Sequence, residues 1–346
     1  MNTSIDEKIL TALFLCSHES NETLDALKPA WDEKCELPLN EKLLIINPPA
    51  GRAGSSLIIQ NVFPWKDELS EGIDHDEFCQ SFFIQPDVFL RVRPGEMETV
   101  IKKLQSRWPS GAACRFQMVG QNALALPNAV KLESILKVDK EVVIQDLNSQ
   151  MTGEFFESAI RSRWLSGLQS KIQVWDCCAG SGGKSIMVFD IDPKIKLTVS
   201  DKRESTLANL KKRFARAGIK NYESFVVDLA NKSAIRNLQS KIIIADVPCS
   251  GSGTWSRTPE HLYFFQERKI EEYSKLQKRI VSNAIVQLQP GGTFVYITCS
   301  IFKKENEEVS MFIKQNFHLQ LKQMEILKGY DKKADSMFVA VFEKPL

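Results

Sequence analysis

The stretch "IQVWDCCAGSGGKS", Ile172 to Ser185, decides the fold class, because an apolar strand pattern leads through a glycine-rich turn into a helix. A Walker A loop reads G-x-x-x-x-G-K-S, and the end of the stretch fits it, but Cys178 stands where the first glycine belongs. A dinucleotide fingerprint also fails, because Ser185 replaces the third glycine after Gly180 and Gly182. The stretch predicts a backbone that approaches a ligand closely beside a helix N-terminus, with a purely structural turn as the alternative.

Strand and helix patterns alternate from about residue 151 to the end of the chain. A helix, "EFFESAIRSRWLSGL", comes first, and the glycine-rich turn follows the first strand. Later strands read "KLTVSD", "YESFVVD", "KIIIADVP" and "GTFVYITCS", and the helices between them include "ESTLANLKKRFARAG" and "KIEEYSKLQKRIVSNAIVQLQ". This alternation predicts an α/β domain with a doubly wound parallel sheet. The C-terminal "FVAVFEKP" is expected to add an edge strand.

The chain ahead of this sheet divides into two parts. Residues 1–80 show helical spacing in "ILTALFL" and "EKLLIIN", followed by the breaker "NPPAGRAGSS", and predict a helical domain. Residues 81–150 predict a small α+β module, with a strand in "VFLRVRP", a helix in "GEMETVIKKLQSRW", one or two strands in "CRFQMVGQNALALP" and another strand in "EVVIQDLNSQ". The module has the size of an RNA-recognition domain but lacks its aromatic signature. Residues 151–346 form the third predicted domain.

Composition and charge narrow the class of protein. A hydrophobic content of 43% with 25% charged residues is typical of globular chains, and no apolar run reaches the roughly 18 residues of a membrane helix. We therefore expect a cytoplasmic protein with no membrane partner. Without a recognisable signal peptide, the 8 cysteines are expected to be reduced thiols, and no C-x-x-C or H-x-x-x-H pair predicts a metal site.

The charge is distributed unevenly along the chain. Residues 1–80 contain 6 Lys or Arg and 15 Asp or Glu, whereas the rest of the chain contains 39 basic and 28 acidic residues. This basic surplus favours a polyanionic partner such as nucleic acid.

Four strand ends of the predicted sheet carry polar or reactive residues, and ligands bind outside such carboxyl ends. Asp201 stands where an acid accepts ribose hydroxyls, and Asp228 can lie beside an adenine ring. Either could instead be a helix N-cap, but together with the glycine-rich turn they favour S-adenosyl-L-methionine, an adenosine ligand without a triphosphate. Cys249 and Cys299 follow two further strand ends, and their shared crevice, with Asp246 nearby, favours reactive roles over burial.

Three segments together resemble the RNA 5-methylcytosine methyltransferases of the RsmB/Sun/Fmu and Nol/Nop/Sun family. The segments "DCCAGSGGKS", "DVPCSGSGTWSRTPE" and "TCSIFKKENEEV" follow the order and spacing of that family, and "VIQDLNSQ" resembles the segment that precedes its catalytic domain. The resemblance covers about residues 85–346. Gly180-Ser181 departs from the usual Ala-Pro, and the first 80 residues are shorter than the helical RNA-binding domain of the ribosomal RNA enzymes.

The resemblance implies a Rossmann-like domain that uses S-adenosyl-L-methionine to methylate carbon 5 of cytosine in structured RNA. Ribosomal RNA is the favoured substrate and transfer RNA the alternative, and the base must leave its stack to react. A monomer without a metal is the default expectation. The cofactor contacts that the resemblance implies are Cys178, Ala179, Gly180, Ser181, Gly182, Gly183, Lys184, Asp201, Asp228 and Asp246.

Carbon 5 of cytosine is too poor a nucleophile to attack a methylsulfonium unaided, and thiolate addition at carbon 6 makes it nucleophilic. The resemblance assigns this attack to Cys299, which must be partly thiolate, and assigns product release to Cys249. Addition pushes electron density to ring nitrogen 3, and Asp246 is placed to supply the proton or hydrogen bond that this nitrogen then needs. Two other classes stay open: a non-catalytic RNA-binding assembly factor, against which the three intact residues argue, and a small-molecule methyltransferase, which needs neither cysteine.

Overall fold

The computed structural model describes residues 5–46, 59–108, 116–128, 130–165, 172–231 and 237–346. The chain divides into two compact units. The first consists of Met1–Lys66 with Asp74–Gln85, and the second of Asp67–Ile73 with Pro86–Leu346.

The first unit is helical. Its helices are α1 (Ile5–Cys16), α2 (Glu22–Leu27), α3 (Pro29–Asp32), α4 (Leu39–Ile46) and α5 (His75–Ser81). A small apolar cluster contains Leu10, Phe14, Leu24 and Cys35. The helices predicted from "ILTALFL" and from the described part of "EKLLIIN" are confirmed, and the breaker at 47–56 lies outside the described residues.

The second unit begins with a small four-stranded antiparallel sheet, called here the small sheet, of order β2-β3-β1-β4. Its elements are β1 (Val88–Val92), α6 (Met97–Arg107), β2 (Gln117–Met118), β3 (Ala123–Leu126) and β4 (Val142–Ile144). Leu90, Val100, Leu104, Leu124 and Val142 are fully or almost fully buried between α6 and the strands. The strand in "VFLRVRP" and the helix in "GEMETVIKKLQSRW" are confirmed, and the described part of "CRFQMVGQNALALP" forms two strands.

The strand predicted for "EVVIQDLNSQ" is wrong beyond residue 144. Helix α7 (Leu147–Leu165) begins within this segment. The Asp146 side chain accepts the backbone N–H of Asn148 at 2.9 Å, and the Asp146 carbonyl accepts that of Gln150. An aspartate that takes up the free N–H groups of a first turn favours a helix start over a continued strand.

A seven-stranded sheet, of order β10-β11-β9-β8-β5-β6-β7, dominates the second unit. Strands β5 to β9 pair in parallel, which confirms the predicted doubly wound sheet, whereas β11 pairs antiparallel with β9 and β10. The elements are β5 (Gln173–Asp176), α8 (Gly183–Ile191), β6 (Lys196–Asp201), α9 (Glu204–Ala217), β7 (Tyr222–Val226), β8 (Ser240–Asp246), α10 (Pro259–Phe264), α11 (Arg268–Ile285), β9 (Leu288–Thr298), α12 (Glu307–Phe317), β10 (Gln320–Leu327) and β11 (Met337–Glu343).

The edge position expected for "FVAVFEKP" is wrong. This segment forms β11, which lies between β9 and β10, and its Phe338, Val339 and Ala340 are buried. The edge belongs to β10, whose residues are mostly exposed and polar. An apolar strand gains most from neighbours on both sides, and a polar strand suits an edge that faces water.

Helices cover both faces of the large sheet. Phe156 of α7, Ile186 of α8 and Phe214 of α9 belong to the core on one face. Val281 of α11 and Val309 of α12 belong to the core on the other. Because both faces are buried, the carboxyl ends of β5 to β9 are the edge at which loops can form a site. Within the part of the chain that the structure describes, no helix combines the length and apolar character needed to cross a bilayer.

Candidate active site

The two cysteines of the resemblance come together at the ends of neighbouring strands. Strands β8 and β9 pair in register Asp246 to Ile297, so the loops that follow them leave the sheet side by side. Cys249 Sγ lies 3.2 Å from Cys299 Sγ. The hydrogen bond with Cys299, together with burial, raises the pKa of the Cys249 thiol well above its usual value. Cys249 is therefore a neutral thiol at neutral pH.

A glycine locks the two cysteine loops together. The Gly253 N–H donates to the Cys299 carbonyl at 2.9 Å, and the Gly253 carbonyl accepts the Ser336 N–H at 2.9 Å. A Cβ at residue 253 would lie 2.0 Å from the Ser336 carbonyl oxygen, so only glycine fits. The "GSG" run thus has a packing role between strand ends.

A buried carboxyl group, not singled out in the sequence, lies beneath the cysteine loops. Glu305 Oε2 accepts the Ser250 N–H at 2.9 Å and the Gln277 amide at 2.8 Å, and Oε1 accepts the Ser300 hydroxyl at 2.7 Å. Burial raises the pKa of Glu305, while the hydrogen bonds from Ser250 oppose that shift. The signal in the sequence was weak, because Glu305 stands in the charged run "KKENEE" whose pattern suggests a solvated turn.

Lys184 and Asp246 form an ion pair beside the cysteines. Lys184, in the first turn of α8, brings Nζ to 2.7 Å from Asp246 Oδ2. Burial alone would lower the pKa of Lys184, but the charge of Asp246 raises it above the usual value. Lys184 is therefore a charged ammonium beside the Asp246 carboxylate.

Asp176, at the end of β5, is a second buried carboxyl group near this pair. It is 1% exposed, and its Oδ2 accepts the Ser185 hydroxyl at 2.6 Å. Its Oδ1 has no hydrogen-bond partner among the described residues. Burial, with a smaller contribution from the Asp246 charge, raises the pKa of Asp176 to about 7, although the Ser185 hydrogen bond and the charge of Lys184 oppose the rise. Sequence reasoning assigned no role to this residue.

The glycine-rich turn has the strand–turn–helix form that its pattern predicts. The Gly180 N–H donates to Asp201 Oδ2 at 3.1 Å, which joins the turn to the end of β6. Gly182 has φ +88°, and a Cβ there would lie 2.9 Å from the Phe214 ring. Both the left-handed backbone and the close packing require glycine at this position.

The two aspartates at the next strand ends also shape their own loops. Asp201 Oδ1 accepts the Arg203 N–H at 2.9 Å. Asp228 Oδ1 accepts the Ala230 N–H at 3.0 Å, and its Oδ2 accepts the Asn231 amide at 2.9 Å. Each carboxylate therefore keeps a fixed orientation before any ligand arrives.

Two cavities meet at this edge of the sheet. The first, of about 370 Å³, is lined by Cys178, Gly180, Asp201, Asp228, Asp246, Cys249 and Cys299, among other residues. The second, of about 350 Å³, is lined by Ala179, Ser181, Gly183 and Lys184 together with Cys178, Gly180, Asp246 and Cys299. Asp246 and Cys299 thus face both cavities. Gly182 packs against α9.

The residues around the start of α7 reach the second cavity, which the sequence did not predict. Asp146 and Ser149 line it, as does Asp335 from the loop before β11. Arg257 donates to Asp335 Oδ1 at 2.7 Å and to Asp146 Oδ2 at 2.8 Å. Burial and the neighbouring Asp146 charge together raise the pKa of Asp335 to about 6, although Arg257 opposes the rise. The resemblance of "VIQDLNSQ" to a family segment was the signal available.

No group of three or more His, Cys, Asp or Glu residues able to hold a metal ion occurs among the residues that the structure describes.

Comparison with known proteins gives concordant results. The profile of the family described as "16S rRNA methyltransferase RsmB/F" matches residues 164–342, just over half of the chain. Ribosomal RNA small subunit methyltransferase B of Shewanella oneidensis is 33% identical over 157 residues, which are 44% of this chain and 36% of that protein. The matched segments of the first curated relatives amount to between 33% and 48% of their lengths, so this chain spans less than half of them.

Solved structures share the fold. A methyltransferase homolog protein from Pyrococcus horikoshii has a TM-score of 0.63 at 19% identity, over 80% of this chain and 92% of that one. NSun6 from Pyrococcus horikoshii, solved with SFG, has a TM-score of 0.51 at 20% identity, over 64% of this chain and 57% of that one. At these identities the likeness concerns the fold alone, and the predicted Rossmann-like α/β class is confirmed.

Proposed function

This chain belongs to the RsmB/F family of ribosomal RNA methyltransferases, and we propose that it methylates carbon 5 of a cytosine in the small-subunit ribosomal RNA. One observation carries the proposal: two cysteines lie 3.2 Å apart, beside Asp246, where two cavities meet. One cavity suits a methyl donor and the other an extruded base. We expect the protein to act as a cytoplasmic monomer.

The cofactor of the family is S-adenosyl-L-methionine, and the first cavity fits it. Asp201 and Asp228 supply carboxylate acceptors for ribose and adenine hydrogens, and Val227, Leu229 and Ile280 supply an apolar wall for a ring. When bound, the cofactor supplies an electrophilic methyl group. Fixed carboxylates and an apolar wall within one cavity of about 370 Å³ support this assignment.

The lining of the second cavity supports binding of the target cytosine there. Its wall combines a cation, Lys184, with carboxylates and hydroxyls that can meet the polar edge of a base. A base inside a helix cannot reach Cys299, so the target must lie in a loop or be turned out of its stack. The basic surplus of residues 81–346 supports binding of the phosphate backbone.

Cys299 acts as the nucleophile in this proposal. Its thiolate forms a bond to carbon 6 of the ring, and the displaced electron pair moves toward nitrogen 3 and carbon 5. Lys184, a charged ammonium held by Asp246, is a proton donor for nitrogen 3, and Asp246 accepts hydrogen bonds from the same edge. Carbon 5 thereby becomes nucleophilic toward the methyl group.

Cys249 serves the release step. The proton on carbon 5 must leave, and its electron pair then breaks the bond between carbon 6 and Cys299 Sγ. The neutral thiol of Cys249 can pass its own hydrogen to the departing Cys299 thiolate across 3.2 Å, while its sulfur takes the carbon 5 proton and nitrogen 3 returns its proton to Lys184. The raised pKa of the Cys249 thiol supports its role as a proton donor in this step.

Bisulfite sequencing of ribosomal and transfer RNA, from cells with and without the protein, tests the function. We expect loss of 5-methylcytosine at a discrete ribosomal position, restored by the wild-type gene but not by Cys299→Ala. Loss confined to transfer RNA would assign the other substrate. Unchanged 5-methylcytosine in both RNAs, with the protein still present on ribosomal particles, would instead support the assembly factor.

A further inference from the structure

A chain of hydrogen bonds runs from the small sheet to the Lys184–Asp246 pair. Arg91, on β1, donates from its NH1 nitrogen to Asp190 Oδ2 at 2.7 Å and from its Nε to Gln145 Oε1 at 2.9 Å. Gln145 Nε2 lies 3.0 Å from Ser149 Oγ. Lys184 Nζ lies 3.3 Å from the same Ser149 oxygen. Arg91 and Gln145 are both buried, so water competes little for these contacts.

The direction of each hydrogen bond in this chain is determined by its ends. Arg91 can only donate, so Gln145 must present its oxygen to Arg91 and its N–H group to Ser149. Lys184, as an ammonium, can also only donate. Ser149 Oγ therefore accepts two hydrogen bonds, which are all that a hydroxyl oxygen can accept.

The Ser149 hydroxyl still has its own hydrogen available for donation. Among the described residues no hydrogen bond donated by this hydroxyl is found, and Ser149 lines the second cavity together with Lys184 and Cys299. The residue is held in the first turn of α7, where the Thr152 hydroxyl donates to its carbonyl at 2.7 Å. A hydroxyl with both acceptor sites occupied and no protein acceptor must donate to whatever fills the cavity.

We propose that Ser149 donates a hydrogen bond to the O2 carbonyl oxygen of the target cytosine, and that Arg91 and Gln145 impose the direction of that bond. This inference rests on the proposed function. Addition of Cys299 at carbon 6 moves charge onto nitrogen 3 and the conjugated O2, so a donor at O2 binds the adduct more tightly than the free base. Ser149 touches the substrate, and Arg91 and Gln145 are positioning residues.

The test exchanges one atom of the substrate and one residue of the protein. The substrates are synthetic RNA hairpins that carry cytidine or 2-thiocytidine at the position found by sequencing, because sulfur is a much weaker acceptor than oxygen. For the wild type we expect kcat/KM to fall about tenfold with the thio substrate, the loss typical of one hydrogen bond. Ser149→Ala should lose about tenfold on cytidine and almost nothing further on 2-thiocytidine.

Gln145→Glu tests the direction of the bond. A carboxylate has no N–H to donate, so the Ser149 hydroxyl would turn to it and away from the cavity. We expect this variant to reproduce the Ser149→Ala pattern on both substrates, which loss of packing alone would not do. Ser134→Ala, at an exposed serine of the same small sheet region, is the matched control and should keep the wild-type sensitivity to sulfur. If Gln145→Glu does not fold, the Ser149→Ala comparison decides.

The outcomes separate this inference from the function beneath it. Independent losses from Ser149→Ala and from sulfur, or a wild type indifferent to sulfur, would overturn the role of Ser149 while leaving the methyltransferase intact. A wild type that transfers no methyl group to either RNA would overturn the proposed function, and this inference with it.

Discussion

Cys249 and Cys299 share one chemistry but have different surroundings. The Cys249 thiol is buried against Cys299, and its raised pKa keeps it protonated. Lys184 holds its positive charge beside Asp246, close to the same edge. Cys299 lines both cavities, whereas Cys249 is among the residues that line the first. The proposed roles of the two thiols therefore follow from their positions rather than from residue type.

Replacing each cysteine separately is expected to stop the reaction at different points. Cys299→Ala removes the nucleophile and should lower the rate at least about 1,000-fold with no covalent complex. Cys249→Ala should allow attack and methyl transfer but block release, so a protein–RNA adduct accumulates on a denaturing gel. The opposite pattern, with the adduct formed by Cys299→Ala, would reverse the roles.

Asp176 is expected to make stability depend on pH. Its pKa of about 7 in the folded protein lies above the ordinary 3.8, so the folded state keeps a proton that the unfolded chain has lost. Stability therefore falls as the pH rises from about 4 to about 7. Asp176→Asn cannot ionise, and its free energy of unfolding relative to wild type should rise by about 2 kcal/mol between about pH 5 and about pH 8.

Denaturant unfolding at several pH values measures this difference. The exposed Asp331→Asn is the control, and it should follow the wild-type curve throughout. A difference between Asp176→Asn and wild type that stays constant with pH would contradict the assignment of the raised pKa to Asp176.

At the scale of elements, the two cysteine loops are held by one carboxyl group between them. Glu305, ahead of α12, accepts donors from the β8 loop, the β9 loop and α11 through Ser250, Ser300 and Gln277. The Tyr296 hydroxyl of β9 donates to the Glu305 carbonyl at 2.6 Å, which fixes the backbone as well. The separation of the two thiols thus depends on a residue that touches neither ligand cavity.

Removing this carboxyl group is expected to loosen both loops. Glu305→Leu leaves the Ser250 N–H and the Gln277 amide buried without an acceptor, and should cost about 3 kcal/mol of stability. Glu305→Gln should cost much less, because its carbonyl can accept both donors while the Ser300 hydroxyl reverses. Thermal unfolding measures both variants, with the exposed Glu308→Leu as control. Equal losses for Leu and Gln would show that charge, rather than acceptor capacity, matters.

At the scale of the second unit, the segment 139–149, which spans β4 and the start of α7, contacts two loops of the site, the glycine-rich turn and the Cys249 loop. Ser149 contacts Lys184, which follows the glycine-rich turn. Asp139 binds Arg213, which also donates to the Ser181 carbonyl of the glycine-rich turn at 3.1 Å. Arg257 ties the Cys249 loop to Asp146 ahead of α7. Polar contacts from the segment 139–149 therefore help to set the positions of residues that are far apart in the sequence.

Arg257→Met is expected to release the Cys249 loop. Without the guanidinium, Asp146 and Asp335 face each other unpaired, so hydrogen exchange of residues 249–258 should quicken and kcat should fall about tenfold or more. Asp335 has a pKa of about 6 and therefore ionises above that pH. The loss of stability of Arg257→Met relative to wild type should therefore be larger at about pH 8 than at about pH 5. The exposed Arg279→Met is the control. If both variants had the same exchange rates over residues 249–258, the prediction that Arg257 holds the Cys249 loop would be wrong.

Local sequence patterns predicted strands β5 to β9 and β11 of the large sheet, because side-chain periodicity acts through local backbone geometry. Strand β10 was not predicted. The sequence by itself also determined that Asp246, Cys249 and Cys299 would meet, since the carboxyl ends of adjacent parallel strands share one edge. Family membership followed from motif order. The same local reasoning missed the start of α7 at residue 147, where a capping aspartate ended a strand pattern.

Tertiary packing sets the place of β11, the pairing of Lys184 with Asp246 and the burial of Asp176 and Glu305. It also decides that Ser149 has one hydrogen left to give. These properties depend on distances between groups that lie dozens of residues apart, and on how much water surrounds them. Neither quantity is encoded in local spacing, because pKa values and hydrogen-bond directions arise from the complete set of neighbours in the folded chain.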